Sequence, residues 1–115
     1  MERSEGISVG IRMRPMNERE IQSGQEVLFK CDESKNLIYQ IKADNQPLEG
    51  QTYCYDKVFD GQSNTADVYS HIAKDIVQNV VKGINGTIFA YGQTSSGKVC
   101  FLSCSHTLFP SLHQY

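Results

Sequence analysis

A segment bounded by two glycines, residues 92–98 (Gly-Gln-Thr-Ser-Ser-Gly-Lys), follows directly on the apolar run 87–91 (Thr-Ile-Phe-Ala-Tyr). Its spacing, G-x-x-x-x-G-K, is that of a phosphate-binding loop without the final Ser or Thr. In such a loop the glycines let successive backbone N–H groups face phosphate oxygens, while the lysine reaches the β- and γ-phosphates. The candidate phosphate-binding residues are therefore Gly92, Gln93, Thr94, Ser95, Ser96, Gly97 and Lys98.

The residues before this segment support the same interpretation. A continuous apolar run of β-favouring residues predicts a strand over 87–91 that is buried on both faces of a parallel sheet. A phosphate-binding loop begins where such a strand ends, followed by a helix whose N-terminus faces the anion. The alternative is a Gly/Ser-rich turn that ends in a surface lysine, and the spacing alone leaves this open.

The rest of the chain predicts an α/β arrangement. Alternating apolar residues indicate a strand over 7–14, which Pro15 ends. The polar stretch 17–25 is expected to be a loop or a poorly ordered turn. Three short runs, 27–31, 37–41 and 52–59, predict a small antiparallel lobe. An amphipathic helix is expected over 65–82, capped by Ser63 or Asn64 and ended by Gly83.

Composition narrows the classes of partner. Eleven Lys and Arg against thirteen Asp and Glu give a formal charge of −2, so no excess positive charge favours nucleic acid or an anionic membrane as the primary partner. The charged first residues lead into no apolar signal region, and no apolar run is long enough for a membrane span. Four cysteines without a secretory signal make a disulfide framework a poor expectation. We therefore expect an intracellular protein.

Longer stretches of the sequence resemble kinesin motor domains. Residues 85–98 (NGTIFAYGQTSSGK) are similar to the strand and phosphate loop of that family. Residues 11–15 (IRMRP) resemble its first strand with the R-x-R-P signature, and 55–59 (YDKVF) its aromatic-Asp-x-Val-Phe segment. The first helix of the family carries residues similar to Thr65, Val68, Tyr69 and Ile72. The resemblance covers residues 6–98, and 37–40 with NGTIFAYGQT are most similar to the centromere-associated mitotic kinesins.

This resemblance implies the start of a kinesin-type P-loop NTPase motor domain, with a parallel or mixed central sheet and a small antiparallel lobe. It implies an ATP-driven motor on microtubules, associated with the cytoskeleton and with mitotic chromosome transport at the spindle or kinetochore. The R-x-R-P segment of the family borders adenine, so Arg12, Arg14 and Pro15 join the candidate nucleotide contacts. Without the resemblance, Pro15 would be interpreted as a strand stop and the arginines as a solvated strand end.

The family pattern is lost after Lys98. Kinesins place a Thr there, whose hydroxyl binds Mg²⁺, whereas this chain has Val99, which has a similar shape but no hydroxyl. We expect residues 1–98 to be part of a motor domain and 99–115 to be a divergent, unstructured tail. Because the loops that sense the γ-phosphate are not found in the sequence, we assign no catalytic residue and expect little or no ATPase activity. Intron read-through after Lys98, a short non-enzymatic isoform or a gene-model fragment would each explain the change.

Three other interpretations are weaker. Cys100, Cys104, His106 and His113 could be written as a zinc site, but their spacing fits no closed zinc module. Small GTPases and kinases usually place the phosphate loop after the first strand, whereas about ninety residues precede it here. His71, on the predicted helix, is expected to be solvated or packed rather than catalytic.

Overall fold

The computed structural model describes residues 6–97. These residues belong to two units, the first ending at Ser63 and the second beginning at Asn64. Lys98, Val99 and the predicted tail over 99–115 lie outside the described residues. Within residues 6–97, no helix has the length and apolar character that crossing a membrane requires.

The first unit contains two small sheets. Its elements are β1 (Gly10–Arg12), α1 (Glu18–Gln22), β2 (Phe29–Asp32), β3 (Leu37–Ile41), β4 (Pro47–Cys54) and β5 (Lys57–Phe59). Its parallel sheet pairs β1 with β5, joining Ile11 to Val58, and its antiparallel sheet has the order β2–β3–β4. Parallel neighbours need a long crossover connection, and here the chain between β1 and β5 supplies it and contains the antiparallel sheet. The predicted α/β class with a parallel sheet and an antiparallel lobe is confirmed.

The core of this unit lies at β5 and the end of β3. Val58 and Phe59 are buried on β5, and Ile41 is buried on β3. The predicted strand over 52–59 is wrong in its continuity, since β4 ends at Cys54 and β5 begins at Lys57. Asp56 causes the break: its carboxylate accepts a hydrogen bond from the Val9 amide at 2.7 Å, and its own amide donates to the Val9 carbonyl at 3.2 Å. The second bond marks the point where the chain leaves β4 and pairs with the start of the first strand.

We expected the polar stretch 17–25 to be a loop or a poorly ordered turn, but it contains the helix α1. Asn17 caps this helix by accepting a hydrogen bond from the Glu20 amide at 2.9 Å, and Glu20 accepts one in return from the Asn17 amide at 2.8 Å. This reciprocal capping box satisfies two N–H groups that a helix start otherwise leaves unpaired. The capping residues therefore form a single helical turn where hydrophobic periodicity gives no signal.

The second unit contains the predicted helix, and the structure confirms it with one irregularity. It consists of α2 (Thr65–Val68) and α3 (Lys74–Val81), joined by a π-helical turn over Tyr69–Ala73. Asn64 caps the start through a capping box with Asp67. The end is a Schellman motif, in which Gly83 has φ +88° and the Ile84 amide donates to the Asn79 carbonyl at 2.9 Å.

The predicted buried strand over 87–91 is wrong. These residues adopt no strand conformation, and the side chains of Phe89 and Tyr91 are 90% and 101% exposed. A strand forms only where a neighbour accepts and donates its backbone hydrogen bonds, and within residues 6–97 no strand pairs with this run. What fixes the start of the segment is Gly86, which packs directly against Ile76 and Val80 of α3.

Candidate functional site

The R-x-R-P segment lies at the end of β1. Arg12 is the last residue of this strand and pairs in register with Phe59. Its guanidinium Nη2 donates a hydrogen bond to the carbonyl of Ser63 at 3.0 Å. The ladder continues one step further, since the Met13 amide donates to the Phe59 carbonyl at 2.9 Å. The pairing of β1 with β5 thus fixes the backbone at Arg12 and at Met13, two residues before Pro15.

Arg14 faces a carboxylate. Its Nη2 lies 2.7 Å from Oε1 of Glu20 and its Nη1 lies 3.0 Å from Oε2, a two-point pair that suits the planar guanidinium. Nη1 also donates to the Pro15 carbonyl at 2.9 Å. The hydrogen bonds from Arg14, followed by the one from the Asn17 amide, lower the pKa of Glu20 to about 2, and the same pair raises the pKa of Arg14. The charge of Arg14 is therefore balanced by a carboxylate of the following helix, α1.

Pro15 packs closely against Gly61. A Cβ placed on Gly61 would lie 3.3 Å from both the Cβ and the backbone N of Pro15. That separation is shorter than an ordinary carbon contact of about 3.5–4.0 Å, so a glycine suits this position. An open pocket of about 470 Å³ lies nearby, along α1, and of the predicted site residues Arg14 alone lines it. The pocket is therefore not the candidate nucleotide site.

Residues 92–97 form a tight turn in the second unit. The Ser96 amide donates to the Gln93 carbonyl at 3.1 Å, and Ser95 and Gly97 have φ values of +66° and +92°. A Cβ on Gly92 would overlap the Oγ of Ser96. Both pattern glycines suit this turn, because Gly97 adopts the left-handed conformation that glycine favours and a Cβ on Gly92 would force the Ser96 side chain to move.

The side-chain oxygen of Ser96 in this turn has no hydrogen-bond partner among the described residues. This Oγ is buried. A buried hydroxyl without a partner costs free energy unless a ligand or water satisfies it. This hydroxyl and the two glycines fit an anion-binding loop. The loop is nevertheless not a finished phosphate cradle, because the Ser96 amide is used within the turn.

The structure does not test the roles of the predicted site residues. It places Arg12, Arg14 and Pro15 on one short segment and Gly92, Gln93, Thr94, Ser95, Ser96 and Gly97 on one turn, while Lys98 lies outside the described residues. For magnesium, Val99 offers no side-chain oxygen where the family pattern has a hydroxyl, so this donor set fits the metal poorly. Within residues 6–97 no cluster of three or more His, Cys, Asp or Glu could hold a metal ion. The residues of the zinc alternative lie outside that range.

The residues that hold the R-x-R-P segment in place were not among the predicted site residues. Glu20, which pairs with Arg14, was detectable from the N-x-x-E spacing of a capping box. Gly61 and Ser63, which contact Pro15 and Arg12, are distant in sequence and carry no local signal. His71 is exposed, with Nδ1 lying 2.8 Å from the Asp67 carbonyl. The side chain is therefore solvated, one of the two positions that we expected for it.

Comparison with known proteins identifies the family. The sequence pattern of the kinesin motor domain matches residues 12–108, most of the chain. The chain belongs to the kinesin motor domain family. The matched range extends beyond Lys98, the point at which we expect the family pattern to be lost.

Individual kinesins align over most of the chain. The kinesin-like protein KIN-7M, chloroplastic, of Arabidopsis thaliana is 46% identical over 94 residues, which cover 82% of this chain and 8% of that protein. KIN-7E of the same plant is 41% identical over 105 residues, covering 88% and 12%. The human Centromere-associated protein E is 42% identical over 94 residues, covering 80% and 3%. This kinesin chain thus spans 8% of the length of the first of these relatives. The identities do not single out the centromere-associated branch.

Proposed function

We propose that this kinesin chain forms the nucleotide-binding start of an ATP-driven microtubule motor. The observation that carries the proposal is the G-x-x-x-x-G-K loop within the family match, whose two glycines both suit the turn that residues 92–97 form. ATP would place its phosphates against the amides of residues 92–98 and against Lys98. By family resemblance, Arg12, Arg14 and Pro15 would border the adenine.

Microtubules are the proposed partner, and the cytoskeleton the proposed location, of the whole protein. Similarity to a relative named Centromere-associated protein E supports a role in mitotic chromosome transport. Plant KIN-7 kinesins are equally similar to this chain, so the mitotic role is a more specific proposal than the motor function. Imaging the tagged full-length protein through mitosis tests it: enrichment at kinetochores or the spindle is expected, and a distribution that ignores both would refute the mitotic role.

A second candidate function, nucleotide binding without turnover, is favoured by Val99. Bound ATP brings a triphosphate whose charge Mg²⁺ normally offsets, and the Thr hydroxyl that would hold the metal is replaced by a methyl group. The backbone amides and Lys98 do not depend on that hydroxyl. We propose that the chain binds ATP and hydrolyses it slowly or not at all.

Two measurements on the full chain test these proposals. Titration with a fluorescent ATP analogue is expected to show saturable binding that unlabelled ATP reverses. ATP hydrolysis, measured with and without microtubules, is expected to stay near background. Absence of saturable binding would refute the nucleotide site, whereas robust microtubule-stimulated turnover would refute the non-hydrolysing function and support the motor alone.

A further inference from the structure

A carboxylate outside the candidate contacts ties together two distant parts of the first unit. Glu33 lies in the turn between β2 and β3, and its Oε1 accepts a hydrogen bond from the Asp60 amide at 2.8 Å. The same oxygen accepts a second hydrogen bond, also 2.8 Å long, from the Ser63 hydroxyl. Glu33 thus holds both ends of the loop Asp60–Ser63, which we name the clamp loop.

The turn that carries Glu33 is itself fixed to the core. Asn36, in the same turn, accepts a hydrogen bond from the amide of the fully buried Val58 through its side-chain Oδ1 at 3.1 Å. Its backbone carbonyl accepts another from the Tyr55 amide at 3.0 Å. Because β5 anchors the turn, Glu33 presents its carboxylate to the clamp loop from a defined position.

The clamp loop is also braced internally. Oδ1 of Asp60 accepts hydrogen bonds from the Gln62 amide at 2.8 Å and from the Ser63 amide at 3.1 Å. These bonds shape the loop, but they do not connect it to the antiparallel sheet. The connection to β2 and β3 comes from Glu33.

The clamp loop contacts two of the three candidate residues of the R-x-R-P segment. The Ser63 carbonyl accepts the hydrogen bond from Arg12, and Gly61 packs against Pro15. Arg14 is held separately, through its pair with Glu20. A shift of the clamp loop would therefore move the partner of Arg12 and the surface against which Pro15 packs.

We propose that Glu33 is a positioning residue for the adenine end of the nucleotide site, acting through the clamp loop on Arg12 and Pro15. This inference rests on the proposed function, since it assumes that these two residues border the base. Glu33 itself does not touch the nucleotide. Its effect should therefore depend on the base and not on the phosphates.

The test compares two probes of the full chain, ATP and inorganic tripolyphosphate, each displacing a fluorescent ATP analogue. Glu33→Ala is expected to weaken ATP binding by about three- to tenfold, the scale of coupling through a packed network, and to leave tripolyphosphate binding within about twofold. Glu33→Gln, which keeps an oxygen acceptor, is expected to recover most of the loss. Glu49→Ala, at an exposed carboxylate on β4, is the matched control and should bind both probes as the wild type does.

Ser63→Ala provides a second variant, because it removes the hydroxyl bond to Glu33 while keeping the Ser63 carbonyl that accepts from Arg12. It should weaken ATP binding in the same base-dependent way. Unchanged ATP binding in both variants, or equal losses for ATP and tripolyphosphate, would overturn the positioning role. A wild-type chain that binds neither probe would instead refute the proposed nucleotide function on which this inference rests.

Discussion

Gly86 provides a test of the path by which the chain leaves α3 toward the candidate phosphate loop. Its backbone is not in the left-handed region, so alanine is allowed there by conformation alone. A Cβ at this position would nevertheless lie 2.7 Å from Cγ2 of Ile76 and 3.0 Å from Cγ2 of Val80. Both neighbours are β-branched residues of a helix and have one strongly preferred χ1 rotamer. They cannot turn away without strain.

Whether Gly86→Ala stabilises or destabilises the chain depends on this packing. Overpacking a well-filled contact costs about 1–3 kcal/mol, and a loss of 1 kcal/mol lowers Tm by about 4–8 °C in a domain of this size. If Gly86 did not pack against α3, the same substitution would stabilise the chain by about 0.4–1 kcal/mol, because alanine restricts the unfolded state. We therefore expect Tm to fall by at least about 4 °C.

Thermal unfolding followed by circular dichroism at 222 nm measures this effect. Asn85→Ala, at the exposed preceding residue, is the control and should change Tm little. In the background of Ile76→Ala, which removes the closest methyl group, Gly86→Ala should cost clearly less. A Tm for Gly86→Ala that equals or exceeds the wild-type value would refute the packing.

Three further outcomes are expected. Asn64→Ala should destabilise the helical unit by about 1 kcal/mol in urea unfolding, and Asn64→Asp should restore most of it, because the cap accepts from the Asp67 amide; equal stability of all three proteins would contradict the cap. The pKa of Glu20 falls from 4.5 to about 2 on folding, so its contribution to stability is complete above pH 4.5 and is lost as pH falls toward 2. Glu20→Gln should reduce this acid dependence of the unfolding free energy, and Glu18→Gln should preserve it. Identical pH profiles for the wild type and Glu20→Gln would contradict the pairing with Arg14. Val99→Thr should strengthen ATP binding in Mg²⁺ but not in EDTA, and equal affinities in Mg²⁺ would show that the missing hydroxyl is irrelevant.

Local signals in the sequence predicted local structure well. The helix over 65–82 follows from its apolar period and its end signals, and the structure adds a π-helical turn at Tyr69–Ala73 that no such pattern indicates. The capping box at Asn17 and Glu20 is equally local, and its N-x-x-E spacing indicates the start of α1. In these cases the hydrogen-bond partners lie within four residues of each other, so the spacing alone carries the information.

Features that depend on distant partners were not predictable in this way. The run 87–91 has the composition of a buried strand, but a strand also needs a neighbouring strand, and none pairs with it within the described residues. Glu33 and Ser63 are thirty residues apart, and they meet because the turn that carries Glu33 is hydrogen-bonded to β5 through Asn36 and Val58. The candidate loop could be found from two glycines and a lysine, whereas the clamp loop required the structure.

Lys98 is the residue expected to contact the phosphates most directly, and isothermal titration calorimetry of ATP with the full chain tests that role. A hydrogen bond to a charged group contributes about 1.5–3 kcal/mol, so Lys98→Ala should weaken ATP binding by about 10- to 100-fold. Lys74→Ala, at an exposed lysine of α3, should bind ATP as the wild type does. Equal affinity of the wild type and Lys98→Ala for ATP, or equal losses in both variants, would contradict the phosphate loop.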